Sequence, residues 1–77
     1  MIREILAPLD GNVFQLHIRA GDQVEEDEEI LVIEAMKMET PIFAPCDGTV
    51  REIRVKEGDQ VAENDVLVII EEDHIEV

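Results

Sequence analysis

Shifted by 37 residues, the chain superposes on itself without a gap: Met1 to Glu34 fall on Met38 to Glu71, and 14 of the 34 aligned positions are identical. The clearest matches are APLDGNV (Ala7 to Val13) with APCDGTV (Ala44 to Val50), and GDQV (Gly21 to Val24) with GDQV (Gly58 to Val61). Both copies close on an apolar run, ILVIE and LVIIE. Two copies are too few for an open stack of repeats, which needs three or more to bury its faces. The halves, residues 1–37 and 38–74, are therefore expected to complete each other around one core as a pseudo-twofold fold. At 77 residues that core is the only one the chain can build, so 1–77 reads as a single domain.

The secondary structure follows from punctuation and composition. Pro8, Pro41, Pro45 and four glycines are spread through the chain, which a helical reading cannot absorb. Two Phe are the only aromatic residues, and Ser, Trp and Tyr are absent, so the core must come from strand-favouring Val, Ile and Leu. Short strands separated by Pro-Leu-Asp-Gly, Ala-Gly-Asp and the acidic stretch predict an all-β fold. Alternation from Val50 to Val55 is broken at Glu52 and Ile53, which predicts a strand with a bulge. Asp27 and Asn64, equivalent under the repeat, are types that tolerate the left-handed backbone of a tight turn.

Twenty acidic residues against six basic ones leave a net charge of −14, which repels nucleic acids and anionic membrane surfaces. The apolar runs are too short to cross a bilayer and the N-terminus has no signal-peptide layout, so the expected location is cytoplasmic, without membrane insertion. The lone Cys46 excludes an internal disulfide and reads as a small structural residue near a turn. The run Glu25 to Glu29 reads as a solvated face on a turn and edge strand, not a metal site. An independent enzyme is disfavoured: no serine is available for a Ser-His-Asp arrangement, and Cys46 with His17 and His74 is too sparse for a Cys-His site. Both histidines read as surface or boundary residues.

The chemistry concentrates at the junction of the repeats. Residues 35–38, Ala-Met-Lys-Met, join the strand Ile30 to Glu34 to the strand Glu39 to Ala44 and are expected to form a hairpin tip. Lys37 is the only Lys or Arg between Arg19 and Arg51. Methionines at a tip that points away from the core make sense as an adaptable contact surface. A lysine that acts as a Schiff base or general base needs a desolvated or cationic setting, and an exposed tip beside Glu34 and Glu39 offers neither. Lys37 is therefore read as the substrate of another enzyme, with no catalytic residue in this chain.

On EAMKMET (Glu34 to Thr40), the following APCDGTV and the paired Gly-Asp-Gln-Val segments, the chain closely resembles the biotinyl domains of biotin-dependent carboxylases, decarboxylases and transcarboxylases. The resemblance covers almost the whole chain. It implies a flattened β-barrel, a barrel-sandwich hybrid of two four-stranded antiparallel sheets, with the termini at one end and the modified lysine at the other. It implies biotin attached to Lys37 by biotin protein ligase, with Glu34, Ala35, Met36, Met38 and Glu39 forming the recognition motif. The implied role is a biotin carboxyl carrier that moves CO2 as carboxybiotin between biotin carboxylase and carboxyltransferase or decarboxylase active sites. Asp27 and Asn64 stand where many members have Gly. The equal, short stretches Gly11 to Gly21 and Gly48 to Gly58 leave no room for the thumb insertion of some bacterial acetyl-CoA carboxylase carriers. Two other readings stay open. A lipoyl domain shares the fold but usually has Asp and Ala beside its lysine, and an unmodified adaptor would have no need of a lysine between two methionines.

Overall fold

A computed structural model describes residues 1–73, and the reading of His74 lies outside them. The eight strands are β1 (Ile2–Leu6), β2 (Gly11–Leu16), β3 (Gln23–Val24), β4 (Glu29–Ala35), β5 (Met38–Phe43), β6 (Gly48–Ile53), β7 (Gln60–Val61) and β8 (Val66–Glu72). They form two four-stranded antiparallel sheets, one ordered β1-β8-β6-β3 and the other β5-β4-β2-β7. Exchanging each residue of the second sheet for its repeat equivalent, 37 positions on for β2 and β4 and 37 positions back for β5 and β7, reproduces the register of the first. Glu34↔Glu39 becomes Glu71↔Ile2, and Leu31↔Ile42 becomes Val68↔Ile5. The β2–β4 bulge between Val13 and Gln15 becomes the β6–β8 bulge between Val50 and Glu52, where the broken alternation places it. Each sheet takes strands from both copies, so neither half closes a core alone.

Between the sheets lie Ile5, Val13, Ile18, Val24, Ile30, Leu31, Ile33 and their counterparts in the second copy, with Cys46 buried among them. Among the described residues no polar or charged residue is buried. Burial of this branched aliphatic surface is the main favourable term in folding. No helix of the described residues is long and apolar enough to cross a membrane.

The turns use the acidic residues. Asp27 (φ 69°) and Asn64 (φ 73°) both adopt the left-handed conformation. Asp22 and Asp59 accept hydrogen bonds from the backbone N–H of Arg19 and Lys56, while Glu28 and Asp65 do the same for Glu25 and Ala62. Two further caps cross between the copies: Asp47 Oδ1 accepts from Glu26 N–H at 2.8 Å, and Asp10 Oδ1 from Glu63 N–H at 2.7 Å. The run Glu25 to Glu29 is thus partly a capped turn. Its last member, Glu29, begins a strand inside its sheet and not at an edge, because β4 lies between β5 and β2. Removing the cap at Asp47 with Asp47→Ala is expected to cost about 1 kcal/mol, the worth of one such hydrogen bond. That corresponds to roughly 4–8 °C in melting temperature for a domain this size, read by thermal circular dichroism. Asp10→Ala should match it, and an unchanged midpoint in both would show the caps to be idle.

Candidate functional site

The sheets lead to one protruding turn. Strands β4 and β5 pair up to Ala35↔Met38, leaving Met36 and Lys37 alone as the loop. The tip is therefore two residues, not the four expected, since Ala35 and Met38 remain in the ladder. Both loop residues have positive φ, 53° at Met36 and 64° at Lys37. This is the signature of the type I′ turn, whose twist suits a hairpin and which normally takes Asn-Gly or Asp-Gly. Side chains with a Cβ and no local hydrogen bond to offer are disfavoured there. The other positive-φ residues among those described fall in equivalent pairs, Asp27 with Asn64 and Gly21 with Gly58, and Met36 has no such partner at Asp73.

The tip lies opposite the chain's starting strand. The pairing of β4 with β5 is equivalent to that of β8 with β1, whose far end brings Glu72 N–H onto Met1 O at 2.8 Å. One junction is bridged by a turn and the other is where β1 begins and β8 finishes, so the twofold places them at opposite ends.

Met36 is 93% exposed and Met38 69%. Lys37 is exposed, and none of the ion pairs among the described residues involves it. Glu34 and Ala35 are half-buried at the end of β4, and Glu39 is exposed at the start of β5. Ile33 belongs to the core, so Glu34 points to the outer face, and its cross-strand partner is Glu39. Like charges directly opposite in a sheet oppose pairing. The hairpin end thus combines two left-handed side chains with one repulsive pair. Locally unfavourable choices of this kind cluster, in proteins generally, at functional sites.

Sequence reasoning missed what holds this tip. Gly11 closes the Pro-Leu-Asp-Gly turn signal in the sequence, yet in the fold it begins β2 without positive φ. A Cβ there would lie 2.6 Å from the Glu34 carbonyl oxygen and 3.2 Å from the Ala35 Cβ. The glycine lets β2 press against β4 up to the last pair before the loop. Its repetition as Gly48 was the available signal. Of the histidines, His17 meets Glu29 at 2.8 Å near the opposite end of β4, away from the tip.

Lys37 thus stands as an exposed primary amine on a two-residue turn, outside every ion pair among the described residues. The family described as "Biotin-requiring enzyme", which covers biotin and lipoyl attachment, matches residues 3–70. The chain belongs to this family. It is 51% identical over 37 residues to the methylmalonyl-CoA carboxyltransferase 1.3S subunit of Propionibacterium freudenreichii subsp. shermanii, covering 48% of this chain and 30% of that one. The fold matches part of a single-chain, multi-domain long-chain acyl-CoA carboxylase with a TM-score of 0.88 at 25% identity, covering 94% of this chain and 7% of that one. It also matches the lipoyl domain of the 2-oxoglutarate dehydrogenase complex from Azotobacter vinelandii with a TM-score of 0.75 at 35% identity, covering 84% and 82%. The alignments span between 3% and 44% of the curated relatives' length.

Proposed function

We propose that this chain is a biotin carboxyl carrier, with Lys37 Nζ joined to biotin as an amide and the domain serving a biotin-dependent carboxylase, decarboxylase or carboxyltransferase. The observation that carries the reading is Lys37 itself, exposed on a two-residue turn between exposed Met36 and Met38. The residues fit the group. Among the described residues no ion pair would have to be broken before the amine is acylated. When bound, biotin supplies the site that accepts and releases CO2. Everything else falls to the protein: the ladder up to Ala35↔Met38 holds the lysine clear of the sheets, and Met36 and Met38 offer an adaptable apolar contact on either side. Tethering keeps the group at high local concentration near its enzymes, so the contribution to catalysis is delivery. The expected partners are biotin protein ligase for attachment, then biotin carboxylase and a carboxyltransferase or decarboxylase. Residues 1–77 act as one carrier unit in this scheme.

The test is intact mass and peptide mapping after incubation with biotin, ATP and a biotin protein ligase. The expected product is one adduct, of biotin less one water, on Lys37. Lys37→Arg should keep its melting temperature within a degree or two and lose labelling entirely. Label transferred to Lys56 in that variant would overturn the site. The likeness to a lipoyl domain supports a second reading, lipoylation of the same amine. A lipoyl ligase that modifies the chain where the biotin ligase does not would establish it.

A further inference from the structure

The twofold that relates the sheets is broken on their outer faces. Strand alternation turns Val32, between core residues Leu31 and Ile33, away from the core. It is nonetheless only 4% exposed and lies outside the core cluster. A second apolar patch therefore exists on the outside of the β5-β4-β2-β7 sheet. Pro41 is Val32's cross-strand partner. Phe43 follows the inward Ile42, and Phe14 lies at the bulge between the inward Val13 and Gln15, the β2 residue paired with Val32, so both are placed on this face, with 50% and 45% of their surface exposed. These are the only aromatic side chains of the protein. The 37-residue shift puts Arg51, Glu4 and Leu6 at the places of Phe14, Pro41 and Phe43, and the equivalent face of the other sheet carries the Arg51–Glu71 ion pair.

We infer that the outer face formed by Phe14, Val32, Pro41 and Phe43, continued by Glu34 and Glu39 to the tip, is the docking surface for the ligase that modifies Lys37. The inference rests on the carrier reading. Three observations select this occupant. The face is continuous with the modified turn, since both are built from β4 and β5. Phe43 lies six residues along β5 from Lys37, about 20 Å at the rise of a strand. A standard interface of about 800 Å² per partner is roughly 32 Å across, enough to span both. Reach is the second: an unmodified lysine extends only about 6 Å from its Cα, so the ligase must lie against the hairpin, whereas enzymes that later use the prosthetic group meet a longer arm. Charge is the third. A second copy would bring −14 against −14, while an enzyme surface with an apolar depression beside lysines or arginines complements Phe14 and Phe43 flanked by Glu34 and Glu39.

The experiment compares ligase kinetics on the intact 77-residue chain, with biotin and ATP saturating, for the wild type, Phe14→Ser/Phe43→Ser, and the twofold-related control Leu6→Ser/Arg51→Ser. The expected result is a KM for the chain at least tenfold higher in the Phe double variant, with kcat within twofold, and wild-type values in the control. Phe14→Leu/Phe43→Leu should restore most of the KM, and thermal unfolding confirms that each variant is folded. A wild-type KM in the folded Phe double variant overturns the inference and leaves the carrier reading standing, whereas a wild type that takes no label at Lys37 overturns both. Normal ligase kinetics with impaired carboxylation of the biotinylated double variant assigns the face to a later partner and also overturns it. So does concentration-dependent self-association of the wild type that the Phe substitutions abolish.

Discussion

Replacing Met36-Lys37 by Asn-Gly is expected to raise the melting temperature by on the order of 10 °C while eliminating modification. A residue with an ordinary side chain pays roughly 1–2 kcal/mol in the left-handed region, and both loop residues occupy it, at φ 53° and 64°. Asn and Gly are the types that the type I′ turn prefers. Relief of about 2 kcal/mol, at 4–8 °C per kcal/mol for a domain of this size, gives the stated shift. The outcome separates two accounts of the hairpin. If Met36 and Lys37 served the fold, exchanging them would lower stability. If they serve a partner, the fold gains as the function disappears, which is the usual direction of conflict between stability and a working site. Thermal circular dichroism and ligase labelling on the same preparation give the answer, and a midpoint equal to or below that of the wild type would remove the strain argument.

The hairpin was legible because its signals are local or repeat-wide. Duplication at 37 residues already contains the pairing scheme: once β4 pairs with β5, β8 must pair with β1 in the same register. The bulge near Glu52 and the left-handed turns at Asp27 and Asn64 could be read because each rests on the residue's own type or on a visible fault in alternation. Other features depend on what the opposite copy contributes, and a linear reading has no access to that. Asp47 looks like any turn aspartate, yet its partner is Glu26 N–H in the other repeat. Val32 sits in a continuous apolar run, and nothing in ILVIE tells which side chains face the core and which turn to the outer face. The four-residue estimate of the tip failed for a related reason. Nothing in Ala-Met-Lys-Met marks where pairing stops, and with both Met36 and Lys37 at positive φ the turn closes in two residues and leaves Ala35 and Met38 paired.

Gly48→Ala and Gly11→Ala are each expected to cost about 3 kcal/mol, and the double variant is expected to be largely unfolded at room temperature. Neither glycine has positive φ, so the alanine conformation itself is allowed. The cost is steric. At Gly11 the new methyl would meet the Glu34 carbonyl oxygen at 2.6 Å and Ile33 Cγ2 at 2.8 Å; at Gly48 it would meet the Glu71 carbonyl oxygen and, at 2.8 Å, Ile70 Cγ2. The nearest obstructing atom in each case is a backbone carbonyl oxygen of the central strands β4 and β8, which cannot swing aside as a side chain could. Overpacking of this kind costs typically 1–3 kcal/mol or more, and we place it at the upper end for that reason. A 77-residue chain has on the order of 4–12 kcal/mol in total, so two such losses at opposite ends of the barrel consume much or all of it. The duplication also supplies an internal control for function. The two single variants should lose similar stability in urea titrations, since their surroundings are equivalent. Only Gly11→Ala, which displaces Glu34 and Ala35 beside the tip, should slow labelling of Lys37 while the domain remains folded. Equal labelling by both would mean that the hairpin tolerates movement of its base, and that presentation of the lysine depends on the turn alone.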